Sequence, residues 1–116
     1  MKDLEPHILR QRLIIEGKYT KEVTKEIIKE YLLKLGELLK MTVDAEPMID
    51  RIDSGKHHGF YGYIHWIESG SHIYVWDNVN FLTVDIYTCK KFLAEDAINF
   101  TKDFFKISEL VHKEIR

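Results

Sequence analysis

Apolar and polar side chains alternate first over residues 7–16 (His7 to Glu16). Leu9, Leu13 and Ile15 hold odd positions, whereas Arg10, Arg12 and Glu16 hold even ones. A two-residue period predicts a strand with one buried face, blurred by Ile8 and Ile14. Gly17 is expected to end it. The period then lengthens. From a candidate N-cap at Thr20, the residues Val23, Ile27, Tyr31, Leu35, Leu38 and Leu39 recur at helical spacing. Ile28 and Leu32 widen this stripe, and Glu30 and Lys34 make an i,i+4 pair in the favourable order. The spacing predicts a helix over 20–40 whose Lys/Glu face is solvated.

Residues 41–51 read as a strand interrupted near Pro47. The run Asp53-Ser54-Gly55-Lys56-His57-His58-Gly59 has the composition of a loop. Phe60 to Ile67 is β-prone and apolar on both faces, which suits a strand covered on both sides. Ser71–Trp76 and Phe81–Cys89 are further strands joined by the turn Asp77-Asn78-Val79-Asn80. Along 81–89, Leu82, Val84 and Ile86 point to the core, and Thr83, Asp85, Tyr87 and Cys89 point away. A second helix is expected over 93–106, with Leu93, Ala97, Phe100 and Phe104 on one stripe, and a last strand over 108–115. The order β-α-β-β-β-β-α-β predicts an α+β two-layer sandwich with both helices on one sheet face.

At 116 residues the chain reads as a single domain, 1–116, and folding at this size buries about two-thirds of the surface. Net charge is −2, from 17 basic and 19 acidic side chains, which argues against a nucleic-acid partner. No apolar run approaches the roughly 20 residues that span a bilayer, so no membrane partner is expected. The first residues lack the apolar core of a signal peptide, and one cysteine excludes an internal disulfide. These features fit a cytoplasmic protein. Four histidines, His57, His58, His65 and His72, lack any spacing that supports zinc, so no metal is expected. The glycines fit neither a phosphate loop nor a dinucleotide fingerprint.

The chemistry concentrates in Glu68-Ser69-Gly70-Ser71-His72-Ile73-Tyr74-Val75-Trp76 and in Val84-Asp85-Ile86-Tyr87-Thr88-Cys89. Without context, Ser69 reads as a turn serine, and Cys89 as a small apolar residue. Together, in ungapped register, these segments resemble the centre of the S-adenosylmethionine decarboxylase family in its short prokaryotic form. Pro6-His7-Ile8-Leu9 and Gly59-Phe60-Tyr61-Gly62 extend the resemblance toward the N-terminus.

The resemblance implies self-cleavage at Glu68–Ser69, a pyruvoyl cofactor derived from Ser69, and proton donation by Cys89. The pyruvoyl carbonyl would take up the substrate's amine and act as the electron sink when CO₂ leaves. The implied substrate is a small molecule with an amine and a carboxylate, S-adenosylmethionine, in spermidine synthesis. A basic amino acid is a variant that Asn78, standing where the family has an acid, leaves room for. The implied assembly is a homodimer of four layers, αββα. The family's processing serine and histidine fall on Tyr61 and Tyr74, and its histidine after the precursor serine falls on Gly70. His72 shares a strand face with Tyr74 and is a displaced candidate base. Asp85 is a candidate supporting acid and Trp76 a candidate ligand platform. The departures at Tyr61 and Tyr74 also support a rival reading: an unprocessed, non-catalytic paralogue that binds a small ligand or a partner subunit.

Overall fold

The computed structural model describes residues 1–115. Six strands and two helices follow one another as β1 (Gln11–Tyr19), α1 (Lys25–Leu38), β2 (Met48–Ser54), β3 (His57–Trp66), β4 (Ser69–Trp76), β5 (Phe81–Thr88), α2 (Ala94–Phe105) and β6 (Ile107–Ile115). The strands form one sheet in the order β2-β3-β4-β5-β1-β6, and every neighbouring pair is antiparallel. Both helices cover one face, α1 over β2 and β3, α2 over β1 and β6. This is the α+β two-layer architecture that the order of periods predicts. Among the described residues no helix is long and apolar enough to cross a membrane.

The core lies between the helices and the sheet. Leu13 and Ile15 of β1, Ile64 and Trp66 of β3, Ile73 and Val75 of β4, and Leu82, Val84 and Ile86 of β5 are buried there. Against them pack Ile28, Tyr31, Leu32 and Leu35 of α1 and Ala97, Thr101 and Phe105 of α2. The two helices are tied by a polar contact within the core. Tyr31 Oη donates to Thr101 Oγ1 at 2.8 Å, and Thr101 Oγ1 donates to the Ala97 carbonyl at 2.8 Å. Both of these hydroxyls thus have partners, and burial pushes the Tyr31 phenol well above its ordinary pKa.

Several boundaries differ from the sequence expectation, each for a local reason. The first strand starts at Gln11 rather than at residue 7 and runs through Gly17. Gly17 is kept inside the strand by close approach: a Cβ there would lie 2.7 Å from Ile107 Cγ2. Thr24, not Thr20, caps α1, accepting from the Ile27 N–H at 3.2 Å. Thr20 instead donates through Oγ1 to the Lys106 carbonyl, 2.6 Å away, at the left-handed end of α2. Residues 53–59 are not a loop. β2 and β3 meet in a hairpin whose turn is only Gly55-Lys56, so His57 and His58 lie on a strand. The strand expected over 41–51 begins at Met48. On α2 the buried row is Ala97, Thr101 and Phe105; Phe100 and Phe104 flank it, and Leu93 is exposed.

Gln11 joins the two ends of this architecture. Its side-chain amide donates to the Phe92 carbonyl at 2.9 Å and accepts from the Phe92 N–H at 3.0 Å, both buried. Phe92 follows β5 by four residues, so this clamp fixes how the chain leaves that strand. Gln11→Ala is expected to leave two buried backbone groups unpaired and to cost about 2–4 kcal/mol. Urea unfolding monitored by tryptophan fluorescence measures it.

Candidate active site

The β4–β5 hairpin sets the geometry of the site. Its register pairs Trp76 with Phe81, His72 with Asp85 and Ser69 with Thr88. One step past the last rung, Glu68 faces Cys89. There the Cys89 N–H donates to the Glu68 carbonyl across 2.6 Å. The carbonyl that precedes Ser69 is therefore polarised by a fixed donor.

The β3–β4 hairpin is as tight as a hairpin becomes. Trp66 pairs with Ser69, so only Ile67 and Glu68 form the turn. Ser69 takes φ 144°, a region that side-chain-bearing residues rarely occupy. Such a conformation costs on the order of 1–3 kcal/mol and persists only where the surroundings enforce it. Thr42 supplies part of the enforcement. Its N–H and Oγ1 donate to the two Glu68 carboxylate oxygens at 2.8 and 3.0 Å, and its carbonyl accepts from the Ile67 N–H at 2.9 Å. These bonds hold the Glu68 carboxyl below its ordinary pKa, the backbone donor at Thr42 foremost.

Cys89 lies beside the strained serine. Its Sγ is 3.5 Å from Ser69 Oγ and 3.8 Å from Tyr87 Oη. Hydrogen bonding from Ser69, then from Tyr87, draws the thiol pKa down, and Arg10 and Arg12 add smaller attractions. The Tyr87 phenol is pushed up, chiefly by its bond to Cys89, so the sulfur ionises first. The Arg12 guanidinium lies 4.6 Å from the centre of the Tyr87 ring.

A cavity of about 460 Å³ opens here, walled by Arg12, Tyr63, Ser69, His72, Asp85 and Tyr87 among others. This volume suits a small molecule. Its wall carries Arg12 and Asp85, and so charges of both signs. His72 is exposed and has no hydrogen-bond partner among the described residues, whereas His65 on the same wall is engaged by Asp44 at 2.9 Å.

Of the residues singled out in the sequence, Glu68, Ser69 and Cys89 converge, and His72 and Asp85 border the same cavity. No hydrogen bond joins His72 to Ser69 among the described residues. Tyr61, Tyr74 and Trp76 lie elsewhere. Ser69 opens β4 and Trp76 closes it, about 23 Å apart at strand rise. Tyr61 and Tyr74 are direct cross-strand partners, stacked with centroids 6.0 Å apart, and Trp76 lies 5.1 Å from Tyr74. Gly70 has a backbone reason: a Cβ there would meet the Ile64 carbonyl oxygen at 2.4 Å. Tyr87 and Arg12 carry a signal in the sequence, since the strand alternation puts both on the face away from the helices. Thr42 carries none, because its contact depends on the path of the chain after α1.

The fold and this site define a small α+β domain with a serine–cysteine pair at the end of a sheet whose second face is open. The profile of the S-adenosylmethionine decarboxylase family matches residues 12–116, and the chain belongs to that family. Its fold is similar to the crystal structure of the adenosylmethionine decarboxylase from Aquifex aeolicus VF5, with a TM-score of 0.75 at 19% identity, covering 93% of this chain and 89% of that one. No curated protein sequence matches it.

The thiol geometry has a direct readout, since Cys89 is the only cysteine. In the uncleaved chain its alkylation by iodoacetamide should rise with pH through an inflection below the ordinary thiol range. A depressed acid pKa means that the thiolate contact is present above that inflection and lost as pH falls through it. Tyr87→Phe removes one hydroxyl partner of the sulfur and should move the inflection upward.

Proposed function

We propose that this protein is a pyruvoyl-dependent decarboxylase resembling S-adenosylmethionine decarboxylase, which cuts itself between Glu68 and Ser69. The observation that carries the reading is the state of that bond: its carbonyl is held by the Cys89 N–H, and its serine sits at φ 144° with Oγ against Cys89 Sγ. These features fit a pyruvoyl precursor. The attacked carbonyl is already polarised, and breaking the bond releases the backbone strain.

In the processing step Ser69 Oγ attacks the Glu68 carbonyl carbon and its proton passes to the Cys89 sulfur. The Glu68–Ser69 C–N bond breaks, the proton goes to the Ser69 nitrogen, and an ester replaces the amide. Loss of the Ser69 α-proton with cleavage of Cβ–Oγ then frees Glu68 as a carboxylate terminus. The dehydroalanine left behind hydrolyses, releasing ammonia. A pyruvoyl group at position 69 would supply the electron sink for decarboxylation of a bound amine. In that reaction Cys89 Sγ returns a proton to the carbon that has lost CO₂. His72, without a hydrogen-bond partner among the described residues, exchanges protons with the site through solvent, and Asp85 holds a cationic part of the substrate.

The substrate has an amine and a carboxylate, with S-adenosylmethionine in cytoplasmic spermidine synthesis as the reading that family membership supports best. The open sheet face bears Tyr61, Tyr63, Tyr74, Trp76 and Phe81, and a second copy covers it in a homodimer of four layers. The paired tyrosines favour one rival: an intact, non-catalytic paralogue. They stack at the cross-strand positions where the family resemblance places a processing serine and histidine.

Mass spectrometry of the purified chain separates the two readings. The decarboxylase reading predicts fragments 1–68 and 69–116, the second blocked by a carbonyl that reacts with hydrazine. Ser69→Ala should abolish the fragments, and His72→Ala should slow their formation. A wild-type chain that stays intact on long incubation, with no reactive carbonyl, would leave the non-catalytic reading.

A further inference from the structure

We propose that Thr42, in the segment between α1 and β2, is a positioning residue that holds the Glu68–Ser69 bond in its reactive conformation. The inference rests on the self-cleavage reading and extends it to a residue outside the serine–cysteine pair.

The segment after α1 runs antiparallel to the end of β3. Val43 bridges Trp66, and the Asp44 N–H donates to the His65 carbonyl at 3.0 Å. The Asp44 carboxylate meets His65 Nδ1 at 2.9 Å, which anchors the same stretch through side chains. Thr42 is the last rung of this short ladder, and all its polar groups point at the turn. The carbonyl takes the Ile67 N–H, and the N–H and hydroxyl take the two carboxylate oxygens of Glu68. Both residues of the two-residue turn are therefore tied to one threonine. A turn free at this point would let Ser69 leave φ 144° for an ordinary extended conformation, and the Glu68 carbonyl would swing off the Cys89 N–H.

The same contacts give Glu68 a function for its side chain. A self-cleaving bond needs only the carbonyl of the residue before serine. The carboxylate here serves as the handle by which the turn is gripped. Lys90, whose charge favours the ionised handle, is itself fixed by donating from Nζ to the Lys40 carbonyl at 2.7 Å.

Thr42→Val keeps the backbone bonds and the shape but removes the hydroxyl donor. The fragmentation rate should drop roughly ten- to hundredfold, the size expected for one hydrogen bond to a charged group. Thr42→Ser, which retains the hydroxyl, should restore it. Glu68→Gln should slow cleavage similarly, with the urea midpoint of either variant near wild type because Thr42 is exposed and Glu68 only half-buried. Equal rates in wild type and Thr42→Val would overturn the inference. A second readout does not need cleavage. In uncleaved Ser69→Ala, carboxyl NMR should show Glu68 titrating below the ordinary range, and Thr42→Val should move it upward. An ordinary Glu68 titration there would also overturn it. A wild-type chain that never cleaves would defeat the proposed function, and the Ser69→Ala titration would still decide whether Thr42 grips the turn.

Discussion

The site depends on one hydrogen bond, from the Cys89 N–H to the Glu68 carbonyl. The bond is a consequence of strand register rather than of any special loop. Ser69 pairs with Thr88, so residues 68 and 89 must face each other one step further on. The twenty-residue separation of serine and cysteine is the length of a hairpin folded about the turn 77–80. A one-residue slip would bring another amide to Glu68 and turn every side chain of β5 to the opposite face. The buried row Leu82, Val84, Ile86 prevents that slip, because it would put three large apolar side chains into solvent. The hydrophobic core thus fixes the geometry of the candidate site at the sheet's end.

Strain and its support are placed together. Ser69 holds a backbone conformation that glycine adopts freely and serine only at a cost. Three neighbours enforce it: the two-residue turn, the β5 ladder and the Thr42 segment. Beside it the cysteine is partly exposed, bonded to two hydroxyls and near two arginines, which are the conditions that favour a thiolate. Few groups take part, and their disposition follows from antiparallel pairing.

Much of this was legible in the sequence because β-strands alternate strictly. The 81–89 pattern placed Leu82, Val84 and Ile86 inside and Asp85, Tyr87 and Cys89 outside, as found. The two-layer fold followed from the order of periods. Capping was harder to read. Thr20 and Thr24 are alike locally, and what distinguishes them is the distant Lys106 carbonyl, which occupies Thr20. Gly17 reads as a stop in sequence, but the packing of Ile107 explains it as a close approach. The histidine-rich run 53–59 has loop composition, yet pairing across Gly55-Lys56 draws it into strands. In the site, the serine–cysteine pair was legible through the family resemblance of the two segments that carry it. The grip of Thr42 on Glu68 was not, since nothing local to residue 42 encodes which turn it meets.

Hydrogen exchange at the Cys89 amide, measured by NMR in the uncleaved Ser69→Ala chain, tests the central claim most directly. A bond to the Glu68 carbonyl predicts exchange slowed to the range of the β4–β5 ladder amides. Exchange as fast as that of the amide of exposed Val79 in the 77–80 turn would contradict the account, since no fixed donor would then polarise the carbonyl before Ser69.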